Sequence, residues 1–310
     1  ITFFGGSQPK PPKPTPPIKV SSPTSSVKPT LSQVPQPAKQ ETIKPTKITG
    51  TKRALLIGIN YIGSDNALNG CIKDVENISN ILTTLYNYKP ENIMILTDDL
   101  NGSRKPTRKN IISNINKYVS LTKSGDELFV HYSGHGTQVA DLNGDEALNP
   151  DAPGQDDALC PCDFDDYDGD SGFILDDLLK EILVNKIPVG AKLRAFFDCC
   201  HSGSALDLPF LYRLGEQFQR VEPLDKQSAD CLLISGCKDN QTSADAYIGN
   251  QYSGALTWAI IQALTSAAKI PTTWKELLLI VRHSLALGKY TQIPMLSVGD
   301  QSIASYSIDL

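Results

Sequence analysis

Six runs of apolar residues follow Lys52, and each ends in polar or small residues that are typical of turns. The segments between them carry apolar residues at every third or fourth position, which is the period of an amphipathic helix. This alternation predicts an α/β fold in which helices cover both faces of a mostly parallel, six-stranded sheet. The predicted strands are residues 54–60, 92–98, 127–135, 193–200, 231–236 and 293–300.

The helical period is clearest in two segments. The first runs from Leu68 to Leu85, and the second is marked by Ile111, Ile115 and Val119. Thr107 is expected to cap the second helix, since a Thr hydroxyl accepts a hydrogen bond from a backbone N–H group of the first turn. Further helices are predicted around residues 178–183, 255–264 and 274–285.

The first 50 residues differ from the rest of the chain. They hold 11 of the 21 prolines among Lys, Ser and Thr, with few large apolar side chains. Such a segment cannot bury a core, so we predict a disordered N-terminal arm over residues 1–50 and one folded domain over residues 51–310. Within that domain we interpret residues 138–171, rich in Asp and Gly, and residues 209–229 as surface loops.

The net charge of −5 is unevenly distributed. Residues 1–50 carry seven Lys and one Glu, and the remainder carries 22 basic and 33 acidic residues. An acidic domain is a poor surface for a phosphate backbone, so no nucleic-acid partner is expected. The odd number of seven cysteines argues against a disulfide framework. With no apolar run long enough to span a membrane and no signal-peptide pattern, we expect a cytoplasmic protein without a membrane partner.

Reactive side chains follow two of the predicted strands. The third strand ends in YSGHGTQ, which contains His135, and the fourth ends in FFDCCHSGS, which contains Cys200. Because the carboxyl ends of parallel strands meet at one edge of the sheet, we expect these two side chains to lie close together. An imidazole favours the thiolate and then protonates a leaving amine, so the pair predicts a cysteine nucleophile with a His partner. Either residue alone is more often structural.

Small residues surround both predicted catalytic side chains. A glycine lets a substrate backbone approach and leaves main-chain N–H groups accessible. The N–H groups of Gly136 and Cys200 are therefore candidates for an oxyanion hole.

Several motifs, in this order, make the chain similar to the metacaspases. They are ALLIGINYIG, LNGCIKD, YSGHGTQ, DCCHSGS and LISGCKDNQTSADA, and the resemblance extends from about Lys52 to the end. It implies a caspase-like three-layer sandwich with His135 and Cys200 as the catalytic dyad. The layout resembles type I members, with a large-subunit-like part over about 51–207, a linker over about 208–229 and a small-subunit-like part over about 230–310.

Acidic residues near the predicted nucleophile indicate the charge of the substrate. Asp198 precedes Cys200 by two residues, and Asp74 lies in the first helical region. Such carboxylates would pair with Arg or Lys in a peptide and repel Asp. The resemblance implies the same preference, with Asp74, Asp198 and Ser133 in the binding pocket. For Asp74 the alternative is a helix-start residue that interacts with the helix dipole.

A second group of acidic residues lies between positions 156 and 177, with Asp207 beyond it. Carboxylates that repel one another favour a hard cation such as Ca²⁺. The resemblance implies calcium dependence, with a ligand set of Asp156, Asp176, Asp177 and Asp207. The alternative is a charged loop that is only solvated.

The leading hypothesis is a calcium-activated cysteine endopeptidase, made as a precursor, that cuts itself and other proteins after Arg or Lys. The resemblance implies a monomer. The alternatives are a catalytically silent caspase-fold scaffold and a related peptidase specific for Asp or Asn. Candidate self-cleavage sites are Lys47, Lys52, Arg53, Arg213, Arg220 and Lys226.

Overall fold

The six predicted strands and the predicted helices are present, and additional strands join them. The computed structural model describes residues 47–141, 154–212, 217–221, 230–236, 245–248, 251–266 and 270–310. These residues belong to one compact unit, Thr42–Leu310. Nearly all of the predicted arm lies outside the described residues.

Thirteen strands occur in the described part of the chain. In chain order they are β1 (Lys52–Gly58), β2 (Ile93–Thr97), β3 (Glu127–Ser133), β4 (Gly136–Ala140), β5 (Gln155–Leu159), β6 (Ile174–Leu175), β7 (Lys192–Asp198), β8 (Phe210–Tyr212), β9 (Phe218–Arg220), β10 (Cys231–Ser235), β11 (Asp245–Ile248), β12 (Gln251–Gly254) and β13 (Met295–Val298).

Five α-helices accompany these strands in the same described residues. They are α1 (Cys71–Thr84), α2 (Arg108–Leu121), α3 (Asp176–Leu179), α4 (Ala255–Thr265) and α5 (Trp274–Leu287). A π-helical segment, Lys180–Val184, continues α3. Thr107 caps α2 as predicted, because its side chain accepts a hydrogen bond from the Asn110 N–H group.

The central sheet has eight strands, not the six that the sequence predicted. Its order is β2-β1-β3-β7-β10-β13-β8-β9. The first five strands are parallel to one another, and β13, β8 and β9 are each antiparallel to the strands beside them. The two added strands come from residues 209–229, which were wrongly interpreted as a loop. Phe210, Leu211 and Tyr212 are buried beside β13, but three apolar residues are too short a run to show a strand period.

A smaller sheet involves the other stretch that was interpreted as a loop, residues 138–171. Strands β4, β5 and β6 pair antiparallel, so residues 136–175 are partly regular. The prediction failed because β5 has the sequence QDDAL, whose two adjacent acids conceal the strand pattern. Strands β11 and β12 pair antiparallel in a separate two-stranded sheet.

Helices cover both faces of the central sheet, which confirms the three-layer arrangement. On one face, α1, α4 and α5 pack against alternate strand residues that include Leu56, Phe129 and Phe196. On the other face, α2 and α3 pack against their neighbours, which include Leu55 and Phe197. Successive residues of a strand point to opposite faces, so each strand contributes to both cores. No described helix combines the length and the apolar content needed to cross a membrane.

The register of the parallel strands aligns polar residues at both ends of the sheet. At the carboxyl end, Gly58, Ser133 and Asp198 are neighbours across β1, β3 and β7. At the amino end, Lys52, Glu127 and Lys192 form the corresponding row. The loops that contain the predicted catalytic residues leave the sheet at its carboxyl end.

Candidate active site

His135 and Cys200 follow neighbouring strands at the same end of the sheet. His135 lies two residues beyond Ser133 of β3, and Cys200 lies two residues beyond Asp198 of β7. A Cβ atom built on Gly136 would overlap the carbonyl oxygen of Cys200. The main chain next to His135 therefore touches the main chain of Cys200, and only glycine fits at position 136. The two predicted oxyanion residues, Gly136 and Cys200, are thus adjacent.

The two cysteines after β7 have different surroundings. Cys199 is fully buried in the apolar core on the α2 face, whereas Cys200 is half-buried. Strand β7 ends at Asp198, and His201 has the left-handed backbone angle φ 48°, so the chain turns sharply at Cys200. Burial and the nearby Cys200 charge raise the pKa of the neighbouring Cys160 thiol to about 12. Cys160 therefore stays protonated, and Cys200 is the least buried of these three cysteines.

The His135 side chain is held by the loop that follows β1. Its Nε2 atom lies 2.8 Å from the carbonyl oxygen of Asn66, and its ring lies 4.6 Å from the ring of Tyr61, centroid to centroid. A carbonyl oxygen can only accept, so Nε2 carries the proton in the neutral imidazole. Nδ1 is then the basic nitrogen. Sequence analysis could not identify Asn66, because a contact through a main-chain carbonyl does not depend on residue type.

The three residues predicted to bind substrate form one buried cluster. Asp74, Ser133 and Asp198 are 0%, 1% and 4% exposed. The Ser133 hydroxyl donates to Asp74 Oδ2 at 2.8 Å. Asp74 lies in the first turn of α1, where an acid interacts favourably with the helix dipole. Its carboxylate oxygens, however, accept hydrogen bonds from residues of β3 and β12.

The end of β12 completes this cluster, and the sequence did not identify it. Ser253 donates its hydroxyl to Asp74 Oδ1 at 2.5 Å, and the Gly254 N–H group donates to Asp74 Oδ2 at 2.9 Å. A Cβ atom on Gly254 would overlap Asp198 Oδ2 and lie 2.8 Å from Asp74 Oδ2. The two carboxylate oxygens therefore converge to within about 5 Å. Burial, followed by the charge of Asp198, raises the pKa of Asp74 well above its ordinary value.

Helix α4 supports the second carboxylate. The N–H group of Thr257, in the first turn of α4, donates to Asp198 Oδ2 at 2.7 Å. The Thr257 hydroxyl lies 3.2 Å from Nε2 of His131, which is fully buried on β3. Burial lowers the pKa of His131 to about 3, so this imidazole is neutral and adds no charge beneath the pocket.

The four predicted calcium ligands lie on β5, α3 and the loop after β7. Asp156, Asp176 and Asp207 are 4%, 2% and 4% exposed, and Asp177 is half-buried. Asp176 accepts hydrogen bonds from the N–H groups of Asp157 and Asp177, and the Lys180 ammonium lies 3.9 Å from Asp207. Buried carboxylates suit Ca²⁺ chemically. Among the described side chains, however, no three His, Cys, Asp or Glu converge closely enough to hold a metal ion.

Solved structures with a similar fold define the class of protein. Caspase-1 from Spodoptera frugiperda is 15% identical, with a TM-score of 0.52, and the similarity covers 84% of this chain and 91% of that one. A protein of Geobacter sulfurreducens is 24% identical, with a TM-score of 0.52, and covers 76% and 89%. This chain therefore has the caspase-like fold.

Sequence relatives narrow the class to a family. The family model of the metacaspase, peptidase C14 domain matches residues 52–209. Metacaspase-1 of Candida glabrata is 38% identical over 86% of this chain and 75% of its own length, and Metacaspase-1 of Saccharomyces cerevisiae is 38% identical over 81% and 67%. Metacaspase-1 of Coccidioides immitis is 38% identical over 80% of this chain and 62% of its own length. This chain belongs to the metacaspase family of cysteine peptidases.

Proposed function

We propose that this protein is a cysteine endopeptidase that cleaves peptide bonds after Arg or Lys, with Cys200 as nucleophile and His135 as acid and base. The observation that carries the proposal is the convergence of two buried carboxylates, those of Asp74 on α1 and of Asp198, which precedes Cys200 by two residues. Two like charges in a low-dielectric pocket repel each other, and a substrate cation relieves that repulsion.

The chemistry follows from the orientation of His135. Its Nδ1 atom accepts the proton of the Cys200 thiol, and the thiolate sulfur attacks the carbonyl carbon of the scissile bond. The main-chain N–H groups of Gly136 and Cys200 stabilise the resulting oxyanion. Nδ1–H then protonates the leaving amine as the C–N bond breaks, which leaves a thioester on Cys200. In the second half, Nδ1 takes a proton from water, the hydroxide attacks the thioester, and the acid and the thiolate are released.

The acidic pocket supplies the preference for basic residues. A guanidinium or ammonium group bound beside Asp74 and Asp198 makes charge-assisted hydrogen bonds to oxygens that already accept neutral donors such as Ser133 and Ser253. An Asp side chain in the same place would add a further carboxylate beside two that already repel each other. The pocket therefore disfavours acidic substrates.

The decisive experiment measures turnover of fluorogenic peptides that end in Arg, Lys or Asp, with millimolar Ca²⁺ present. We expect turnover of the Arg and Lys peptides, none of the Asp peptide, and none by Cys200→Ala. Cys162→Ala is the matched control, because Cys162 is also half-buried and burial raises its pKa to about 11. Equal turnover by wild type and Cys200→Ala, or preferred turnover of the Asp peptide, would contradict the proposal.

We also propose that Ca²⁺ activates the enzyme through Asp156, Asp176, Asp177 and Asp207. The support is chemical, since three of these carboxylates are buried and carboxylate oxygens are the donors that Ca²⁺ prefers. A bound Ca²⁺ ion would supply positive charge beside them, and it requires the carboxylates to converge further than they do here. The test is turnover in excess chelator, and undiminished activity there removes this part of the proposal.

Self-processing is the last part of the proposal, and the exposure of each candidate residue limits where cleavage can occur. Lys52 and Arg53 lie within β1, a strand paired on both sides in the central sheet, and Arg53 pairs with Asp126 at 2.7 Å. A peptidase therefore cannot reach them without unfolding the sheet. Lys47 and Arg220 are exposed, and Arg220 lies on the edge strand β9. Arg213 and Lys226 lie outside the described residues. Mass spectrometry of the fragments that wild type forms with Ca²⁺, and Cys200→Ala does not, tests these sites.

A further inference from the structure

Two tyrosine hydroxyl groups surround the backbone of His135, and the proposed mechanism does not use them. Tyr61 follows β1 and Tyr132 lies on β3, and they are 4% and 0% exposed. The His135 N–H group donates to the Tyr61 hydroxyl at 2.8 Å, and the Tyr132 hydroxyl donates to the His135 carbonyl oxygen at 2.7 Å. Both main-chain polar groups of His135 are therefore bound by side chains from other elements.

The hydrogen bonds of the two hydroxyls form one consistent network. Each phenol has a single proton to donate. The Tyr61 hydroxyl donates to the Cys160 carbonyl oxygen at 2.7 Å. The nearer acceptor of the Tyr132 hydroxyl is the His135 carbonyl oxygen at 2.7 Å, and the Cys160 carbonyl oxygen lies 3.0 Å away. The two hydroxyl oxygens lie 3.3 Å apart. Burial raises the pKa of both tyrosines well above 10, so both hydroxyls keep their protons wherever the enzyme works.

The local backbone is adapted to this arrangement. Tyr61 has φ 51°, which is rare for a bulky residue and persists only where surrounding contacts hold it. Gly134 directly precedes His135, and a Cβ atom there would lie 2.9 Å from the Tyr132 hydroxyl and 3.1 Å from the Tyr61 hydroxyl. A glycine at 134 therefore lets both hydroxyls reach the His135 backbone.

We propose that Tyr61 and Tyr132, together the tyrosine clamp, are positioning residues that hold His135 in the orientation needed for proton transfer to and from Cys200. The Tyr61 ring packs on the imidazole at 4.6 Å while its hydroxyl holds the main chain, so one side chain restrains both parts of His135. The inference rests on the proposed function, because it assigns His135 as the acid and base. Misplacing a catalytic group by about 1 Å costs roughly 100-fold in rate.

The test removes one hydroxyl at a time from the full chain. Tyr61→Phe keeps the ring and leaves the His135 N–H group without this acceptor, so we expect kcat for the Arg peptide to fall roughly 10- to 100-fold with KM changed less than about twofold. Alkylation of Cys200 by iodoacetamide at neutral pH should slow in parallel, because a misplaced imidazole stabilises the thiolate less.

Tyr132→Phe is the second variant, and its effect should be smaller. The His135 carbonyl oxygen also accepts a hydrogen bond from the Cys160 N–H group at 3.2 Å, so it keeps one donor when the Tyr132 hydroxyl is removed. We expect a loss in kcat of severalfold, about 3- to 10-fold. This variant keeps the proposal testable if Tyr61→Phe does not fold.

Tyr88→Phe is the matched control. Tyr88 is 2% exposed and its hydroxyl donates to Glu127 at 2.5 Å, but it lies at the amino end of the sheet. It should lower stability and leave kcat of the folded protein unchanged. An equal loss of kcat in Tyr61→Phe and Tyr88→Phe, after correction for the folded fraction, would mean that the clamp is merely structural.

A readout that does not need turnover separates this inference from the proposed function. In protein labelled with ¹⁵N at histidine, the His135 signal should report a proton on Nε2 in wild type and in Tyr88→Phe, and it should broaden or change tautomer in Tyr61→Phe. The signal is assigned by its absence from His135→Gln. If wild type turns over no peptide, the proposed function fails, yet this comparison still tests the clamp. A Tyr61→Phe variant with wild-type kcat and an unchanged His135 signal overturns it.

Discussion

Both ends of the central sheet bury carboxylates, but the groups that surround these carboxylates differ. At the amino end, Glu127 is fully buried between Lys52 and Lys192 in the strand register, and it accepts a hydrogen bond from Tyr88. Burial raises its pKa to about 7, and the nearby Arg194 charge is the largest factor that opposes the rise. Acid and base are thus interleaved at this end.

At the carboxyl end, Asp74 is equally buried, but the charged group that most affects its pKa is another acid. Burial and Asp198 both raise its pKa, and the groups that lower the pKa are the neutral donors Ser253, Ser133 and Gly254. Hydrogen bonds from neutral groups compensate a buried charge less well than an ion pair does. The comparison shows that basic side chains surround the buried carboxylate at the amino end, whereas neutral donors hold the buried carboxylate at the carboxyl end, beside a second acid.

The largest effect is expected from breaking the amino-end pairing. Arg194 is 1% exposed and donates to the Asp230 carboxylate at 2.7 Å, so Arg194→Met leaves Asp230 and Glu127 buried without this cation. We expect the free energy of unfolding, measured with urea, to fall by about 3 to 5 kcal/mol. The kcat of the folded protein should not change, and a large loss of kcat would mean that the two ends are not separate in function.

Removing one carboxylate at the carboxyl end should lower activity but not stability. In Asp74→Asn, kcat/KM for the Arg peptide should fall roughly 10²- to 10³-fold, equivalent to about 3 to 4 kcal/mol. The free energy of unfolding should stay the same or rise, because the repulsion from Asp198 is gone. Asp99→Asn, an exposed acid, is the control. Unchanged discrimination between Arg and Asp peptides in Asp74→Asn would refute the role of the pocket.

Titration of Glu127 should appear in the pH dependence of stability. Its pKa is 4.5 in an unfolded chain and about 7 in the fold, so the folded state keeps a proton that the unfolded state loses in this range. Stability should therefore decrease as pH rises from about 4.5 to about 7, by about 3 kcal/mol in all. Glu127→Gln should flatten this part of the curve, which urea denaturation at several pH values measures. An identical slope in the variant would show that other groups cause it.

The smallest effect is expected from adding one methyl group to the pocket. Gly254 has φ −62° and ψ 134°, which alanine adopts without strain, but its Cβ atom would displace the carboxylates of Asp198 and Asp74. We expect Gly254→Ala to raise KM for the Arg peptide about tenfold, equivalent to about 1.4 kcal/mol. Thr265→Ala, at the other end of α4, should leave KM unchanged. A Gly254→Ala variant with wild-type KM would indicate that substrate binds elsewhere.

Local pattern was sufficient for most of the fold. The strands around Leu55, Phe129 and Phe196 have continuous apolar runs, and the helices between them have a clear period, so their type and order were predictable. Strands β8 and β9 were missed because each has only three residues. Strand β8 depends on pairing with β13, which is about 80 residues away along the chain, and β9 pairs in turn with β8.

The sequence by itself determined the candidates for the chemistry, since His135, Cys200, Asp74, Asp198 and Ser133 stand in recognisable motifs at strand ends or helix starts. Only the tertiary structure decided what surrounds them. The hydroxyl of Ser253 reaches Asp74 across 179 positions, and that of Tyr61 reaches His135 across 74. Contacts between distant positions have no period and no fixed spacing, so they become visible only when packing brings the elements together.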